Sequence, residues 1–147
     1  MYRRTRGRLE VLLVHPGGPF WAGKDRGAWS IPKGEHEPDE DALDAARREF
    51  VEETGIEPRG DFLPLAPLVQ RGGKTVRAFA FEGDCDPTAI RSNTFAMEWP
   101  RGSGRQQEFP EIDRAAWLAI DEAAEKILPS QARLLTDLAR RLGEPAG

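Results

Sequence analysis

The stretch that most constrains this chain is GEHEPDEDALDAARREFVEETGI, Gly34 to Ile56, in which a glycine-led loop runs into a helix with its own start and stop signals. Asp41 can cap the helix by accepting from free N–H groups of the first turn, with Asp44 at the capping-box offset. Gly55 can take the left-handed conformation that ends a helix. The pattern predicts a helix over Asp41 to Thr54. At about 100° per residue, Glu49, Glu52 and Glu53 fall on one side of it, spaced i, i+3 and i+4. The apolar Ala42, Leu43, Ala46 and Phe50 point about 40° from Glu53 and about 80° from Glu49, so the acidic stripe borders the buried face instead of lying opposite it.

Clustered carboxylates at the edge of a core repel one another and resist desolvation unless a cation neutralises them. Oxygen-only donors favour hard ions such as Mg²⁺ or Mn²⁺, which keep several waters and bridge to phosphates. The substrate should then carry phosphates. An Arg/Glu-rich helix can also be a solvated face laced with i,i+4 pairs, and Arg47, Arg48 and Glu52 could serve that way; the helix alone leaves both readings open.

Composition narrows the partners. One cysteine, Cys85, excludes an intrachain disulfide framework and an all-cysteine metal site, and two isolated histidines, His15 and His36, cannot build a His-rich zinc centre. With 25 acidic against 21 basic residues and a net charge of −4, the chain is not expected to coat nucleic acid, and a small-molecule partner is the likelier class. No apolar run reaches the ~18 residues of a membrane span, and MYRRTRGRLE lacks a signal-peptide core. A soluble, cytoplasmic protein with no membrane partner is expected.

The 147 residues suit one domain over 1–147, without repeats or visible linkers. Leu9 to His15 reads as a buried strand closed by Pro16-Gly17-Gly18-Pro19, and Ala28 to Ile31 as a second short strand ending at Pro32. Phe62 to Gln70 and Lys74 to Glu82 read as a hairpin across Arg71-Gly72-Gly73. Thr94 to Trp99 and Ala115 to Ile120 are further strands, separated by a polar Gly/Arg/Gln loop. Asp121 is expected to cap a short helix. Pro129 opens a last one to about Leu142, with Leu134, Leu135, Leu138 and Leu142 as its apolar stripe. The expected class is α/β (α+β), a mixed sheet with helices packed on it.

The acidic segment also matches a whole pattern, G-x5-E-x7-R-E-U-x-E-E-x-G-U with U apolar, at Gly34, Glu40, Arg48, Glu49, Phe50, Glu52, Glu53, Gly55 and Ile56. Seven fixed positions agree by chance on the order of 10⁻⁹ per start site. The chain resembles the Nudix hydrolases, and the flanking strands, the Trp117 strand and the helix after it are similar to the Nudix layout. The resemblance implies an α/β/α sandwich with a mixed β-sheet and the Nudix loop-helix-loop. It also implies a hydrolase that cleaves the pyrophosphate linkage of a nucleoside diphosphate derivative by metal-assisted attack of water.

Carried over residue by residue, the resemblance makes Glu49, Glu52 and Glu53 the ligands of Mg²⁺ (or Mn²⁺), with the Gly34 carbonyl as a further ligand, and one of these carboxylates could instead serve as base. Glu40, Arg48 and Gly55 take structural roles, the first two as an acid–base pair holding the loop-helix-loop. A further catalytic Glu is expected shortly before the Trp-containing strand, where Glu111 is favoured over Glu108. Lys33, Trp29, Arg101 and Arg105 are candidate substrate contacts, the arginines from a loop that could close over phosphates. All four tryptophans, Trp21, Trp29, Trp99 and Trp117, are candidates for stacking on a base, and at least two are expected in the core, Trp117 most clearly.

For the substrate, a nucleoside triphosphate and a dinucleoside polyphosphate both stay open. The WSIPKGE run resembles the dinucleoside polyphosphate hydrolases, but no tyrosine follows the box, the only one being Tyr2. The alternative function is a catalytically silent nucleotide-binding or sensor module on the same fold. Tyr2 to Gly7 is mostly polar, so the first strand is expected to be truncated, or its edge to be completed by a second chain in a homodimer.

Overall fold

The computed structural model describes residues 1–33, 39–69 and 72–143. Its centre is β2 (Arg8–Pro16), which pairs antiparallel with β1 (Tyr2–Thr5) on one edge and with β9 (Ile112–Ala119) on the other. Leu12 stands opposite Trp117 and Leu13 opposite Ala116, with a bulge between His15 and Pro16. Successive side chains point to opposite faces of a strand. Val11 and Leu13 accordingly pack with Leu135 and Leu138 of α3 (Ala132–Arg141). Leu12 packs with Phe50 of α1 (Ala42–Thr54) and with Phe81. A strand buried on both faces needs an unbroken apolar run, which Val11 to Val14 supplies, and the helix layers on either side make the α/β/α sandwich.

The named strands pair antiparallel, and the mixed character comes from two isolated parallel bridges, Tyr2 with Glu82 and Trp29 with Ile127. The expected strand Ala28 to Ile31 is reduced to such bridges, Trp29 to Ile127 and Ser30 to Val14. At the N-terminus, the polar residues do form a strand, because β1 needs only backbone pairing with β2. Tyr2 also donates to Phe81 and accepts from Gly83.

Helix α1 begins and ends as its sequence predicts. The Asp41 carboxylate accepts from Leu43 N–H and Asp44 N–H, and Gly55 stops the helix at φ 75°. The expected hairpin is present in two paired pieces, β3 (Leu63–Pro64) with β6 (Phe79–Ala80) and β4 (Leu68–Val69) with β5 (Thr75–Val76). The break falls at Ala66 and Pro67. Pro67 has no N–H to give, and Ala66 N–H donates at 2.8 Å to the Asp137 carboxylate of α3.

Asp137 is buried, and the Ala66 N–H, with Arg140 and Arg141 after it, holds its carboxyl down at about 2. A folded-state value below the unfolded 3.8 adds stability that is present above about pH 4 and lost as pH falls through 2. Asp137→Asn is expected to cost about 2 kcal/mol at pH 7 and nearly nothing at pH 2, read from urea midpoints at the two pH values. An equal loss at both would show that packing, not charge, is what the substitution removes.

Three expectations need correction. The stretch between Trp99 and Ala115 is not one loop: it contains β8 (Gln106–Pro110), which pairs along its full length with the expected strand, β7 (Thr94–Glu98). Apart from the half-buried Phe109, the residues of β8 are exposed, so no alternation announced it. Asp121 does not cap α2 (Ile120–Lys126); the capping position is Ala119, and Asp121 lies in the first turn, where it complements the helix dipole. Pro129 opens a 3₁₀ turn, Pro129–Gln131, and α3 follows at Ala132.

Candidate active site

Glu53 and Glu111 come within electrostatic reach of each other where the end of α1 meets the root of the β7–β8 hairpin. The last carbonyls of a helix lack partners within it. Here Asn93 N–H donates to the Glu52 carbonyl and Arg91 N–H to the Thr54 carbonyl. Glu111 N–H in turn donates to Asn93, and Gly17 N–H donates to the Glu111 carbonyl at 2.8 Å. This chain of backbone bonds fixes Glu111 against the last turn of α1.

Glu53 is the most perturbed of the carboxylates. Burial pushes its pKa up to about 8; the Lys33 N–H donated to Oε2 opposes this, and the negative charges of Glu111 and Glu49 add to the rise. Glu49 is also raised, first by burial and then by the charge of Glu52, against the pull of Arg48. Binding of a cation or uptake of a proton would relieve the strain on carboxylates perturbed in this way.

Arg48 organises the outer rim. Its guanidinium grips Glu40 with two bonds of 2.9 Å, and its Nη1 reaches Glu49 at 2.8 Å and Glu52 at 3.3 Å. The Glu40 bonds, more than any other, hold the guanidinium in its charged form. A lysine carries one charge but not the planar fork. Arg48→Lys is therefore expected to lower turnover about tenfold and weaken divalent-metal affinity to a similar degree. Parallel kinetics and metal titration check this, and a variant with unchanged metal affinity would exclude an orienting role.

The carboxylates are oxygen donors of the hard kind, and the burial that raises Glu53 and Glu49, with the neighbouring negative charges that add to it, is what a divalent ion would offset, so the residues fit Mg²⁺ or Mn²⁺. Among the described residues, no group of three or more acidic, histidine or cysteine side chains is gathered closely enough to hold an ion, and Arg48 bonds to both Glu49 and Glu52. The Gly34 carbonyl lies outside the described residues.

The remaining expected residues are distributed unevenly. Glu108 is exposed on β8 opposite Ala96, away from the hairpin root, while Glu111 lies within electrostatic reach of Glu53. Lys33 is exposed and touches Glu53 through its backbone. Trp29 is a core residue: it is 6% exposed, stacks edge-on with His15, and its indole N–H donates to Asp25. Its face is not presented to a ligand. Arg101 and Arg105 are exposed at the far end of the β7–β8 hairpin. Asn93 and Gly17 escaped the sequence reading because they act through backbone groups, which leave no side-chain signature.

A family model described as NUDIX domain matches residues 1–138. The chain belongs to this family. Over 146 residues it is 30% identical to an RNA pyrophosphohydrolase of Caulobacter vibrioides, covering 84% of this chain and 77% of that protein. Among solved structures, a C. elegans Ap4A hydrolase binary complex aligns with a TM-score of 0.63 at 21% identity, over 97% of this chain and 92% of that one. The NUDIX domain of Shewanella oneidensis NrtR, complexed with ADP ribose, aligns at 0.61 with 17% identity, over 96% and 82%. These two likenesses show the Nudix fold. No helix among the described residues is long and apolar enough to cross a membrane.

Proposed function

We propose that this protein is a metal-dependent hydrolase that cleaves the P–O–P linkage of a nucleoside polyphosphate. The observation that carries the reading is the Glu53 carboxylate, held at the edge of the core beside Glu49 and Glu111 within a complete Nudix box. The 30% identity to an RNA pyrophosphohydrolase supports it.

Glu49, Glu52 and Glu53 would hold Mg²⁺ or Mn²⁺, which when bound supplies a water of lowered pKa and offsets charge on the phosphate oxygens. Arg48 and Glu40 keep the ligating carboxylates in place. Glu111, off the helix and within electrostatic reach of Glu53, would receive the proton of the attacking water. One bond forms from that water oxygen to phosphorus and one breaks to the bridging oxygen, which leaves on the second phosphate. Lys33 adds a point charge for that phosphate.

The test incubates the protein with Mg²⁺ or Mn²⁺ and a panel of nucleoside triphosphates, dinucleoside polyphosphates, nucleotide sugars and a 5′-triphosphorylated RNA, with products separated by chromatography. Turnover of at least one compound that stops with EDTA is expected. Binding without turnover of any compound would instead make the chain a nucleotide-binding module.

A further inference from the structure

The bulge between β2 and β9 lies two residues from Glu111. His15 pairs with Arg114 and Pro16 with Ile112, so Asp113 is the extra residue of β9 and has no partner in the ladder. Pro16 has no N–H, and the ladder loses a bond where its register changes. Had the ladder run on unbroken, Pro16 would face Asp113, and Glu111 would stand opposite Gly18 instead of accepting from Gly17, a displacement of about 3.3 Å along the strand. Which residue bulges therefore decides where Glu111 stands against the end of α1.

A side-chain clasp closes over this bulge. The His15 ring is fully buried. Its Nδ1 donates to Asp113 Oδ1 at 2.8 Å and its Nε2 to the Lys24 carbonyl at 2.6 Å. Trp29 stacks edge-on against the ring at 5.2 Å and is itself tied down: its indole N–H donates to Asp25, which also pairs with Lys126 of α2, and the Arg114 guanidinium lies 5.3 Å over its ring. With a partner on each nitrogen and Trp29 beside it, the imidazole has no room to turn from Asp113. A slip by one residue would bring Ile112 or Arg114 to the ring, and neither side chain accepts a hydrogen bond from a buried N–H.

We propose that His15 is a positioning residue for hydrolysis: by clasping Asp113 it pins the bulge, and through the bulge it sets the place of Glu111. The assignment rests on the hydrolase reading above and on the part given there to Glu111. None of the bonds of the clasp involves α1, so the carboxylates of that helix keep their places without it.

The experiment measures kcat, KM and Mg²⁺ affinity for His15→Phe, Asp113→Ala, Asp113→Asn and the double variant His15→Phe/Asp113→Ala. The substrate is whichever of the nucleoside triphosphates, dinucleoside polyphosphates and 5′-triphosphorylated RNA the wild type cleaves, and His15→Phe and Asp113→Ala are repeated in a Glu111→Gln background. Phenylalanine keeps a ring against Trp29 and removes both bonds. Since a misplacement of about 1 Å lowers turnover about a hundredfold, kcat should fall about that far in His15→Phe and in Asp113→Ala. It should fall no further in the double variant, with KM and Mg²⁺ affinity near wild type throughout. Asp113→Asn keeps an acceptor oxygen and should stay near wild type. In the Glu111→Gln background neither substitution should lower kcat again, and the Gly17 amide should exchange with deuterium faster in His15→Phe than in the wild type. A melting midpoint that falls while kcat holds at low temperature would overturn the assignment. An equal fall of kcat with and without Glu111 would overturn it too, and in both cases the hydrolase reading stands. If His15→Phe does not fold, Asp113→Ala, at a side chain 33% exposed, decides by the same comparison. Absence of EDTA-sensitive turnover in the wild type would defeat the hydrolase reading and the assignment together.

Discussion

Glu53→Gln should abolish measurable hydrolysis, a loss of about a thousandfold, while making the metal-free protein more stable at pH 8. The two effects have one cause. A carboxylate whose folded value is about 8, against 4.5 for the ordinary group, binds a proton in the folded state that the unfolded state has released. Stability of the metal-free protein therefore falls as pH rises from about 4.5 to 8. Glutamine keeps the shape and cannot ionise, so it escapes that loss. The full shift would amount to about 5 kcal/mol, and partial solvent screening reduces the expected gain to about 2 kcal/mol. Thermal melts in EDTA should show the variant several degrees above the wild type at pH 8 and nearly level with it at pH 5. Adding Mg²⁺ should raise the wild-type midpoint more than the variant's, because binding stabilises only the form that can ligate. Equal midpoints at pH 8 in EDTA would mean that Glu53 is not under electrostatic strain, and the assignment of the ion to this carboxylate would fall with it.

How far the site could be read in advance depended on whether its signals were local. Helix α1 carries its own instructions: a capping aspartate, an apolar stripe and Gly55 at a left-handed position. The i, i+3, i+4 spacing of Glu49, Glu52 and Glu53 then places the acids without reference to the rest of the fold. The central strand β2 was equally legible, since a run of apolar residues buried on both faces admits few other uses. What stayed hidden is what packing and backbone pairing decide. Strand β8 reads Gln-Gln-Glu-Phe-Pro and buries little, so nothing in its sequence separated it from a loop, and Glu108 was consequently placed in one. Trp29 could have been a stacking face or a core ring, and only the contacts with His15 and Asp25 decide for the core. Asp137 gave no hint of its part in breaking the hairpin at Ala66, because the bond joins positions 71 residues apart.

The same long-range backbone pairing makes Gly17→Ala the substitution expected to do most damage outside the acidic cluster. Gly17 is buried after β2, its N–H bonded to the Glu111 carbonyl, and a Cβ there would run into the backbone carbonyl of Pro110. The obstacle is main chain at the root of the hairpin, not the far end of a flexible side chain, so relief requires that loop and hairpin separate. Overpacking of this kind costs about 3 kcal/mol. The functional loss should exceed what instability alone would give: Glu111 hangs on Asn93 and Gly17, and a shift of about 1 Å at a reacting group lowers turnover by about a hundredfold. Gly23→Ala provides the control, since an added Cβ at Gly23 meets nothing within 4 Å and should leave both midpoint and turnover near wild type. Urea unfolding and kcat measured on the pair separate the outcomes. A Gly17→Ala protein with reduced stability and full turnover at low temperature would show that Glu111 does not take part in the reaction, and the proton would then have to be received by a carboxylate of α1.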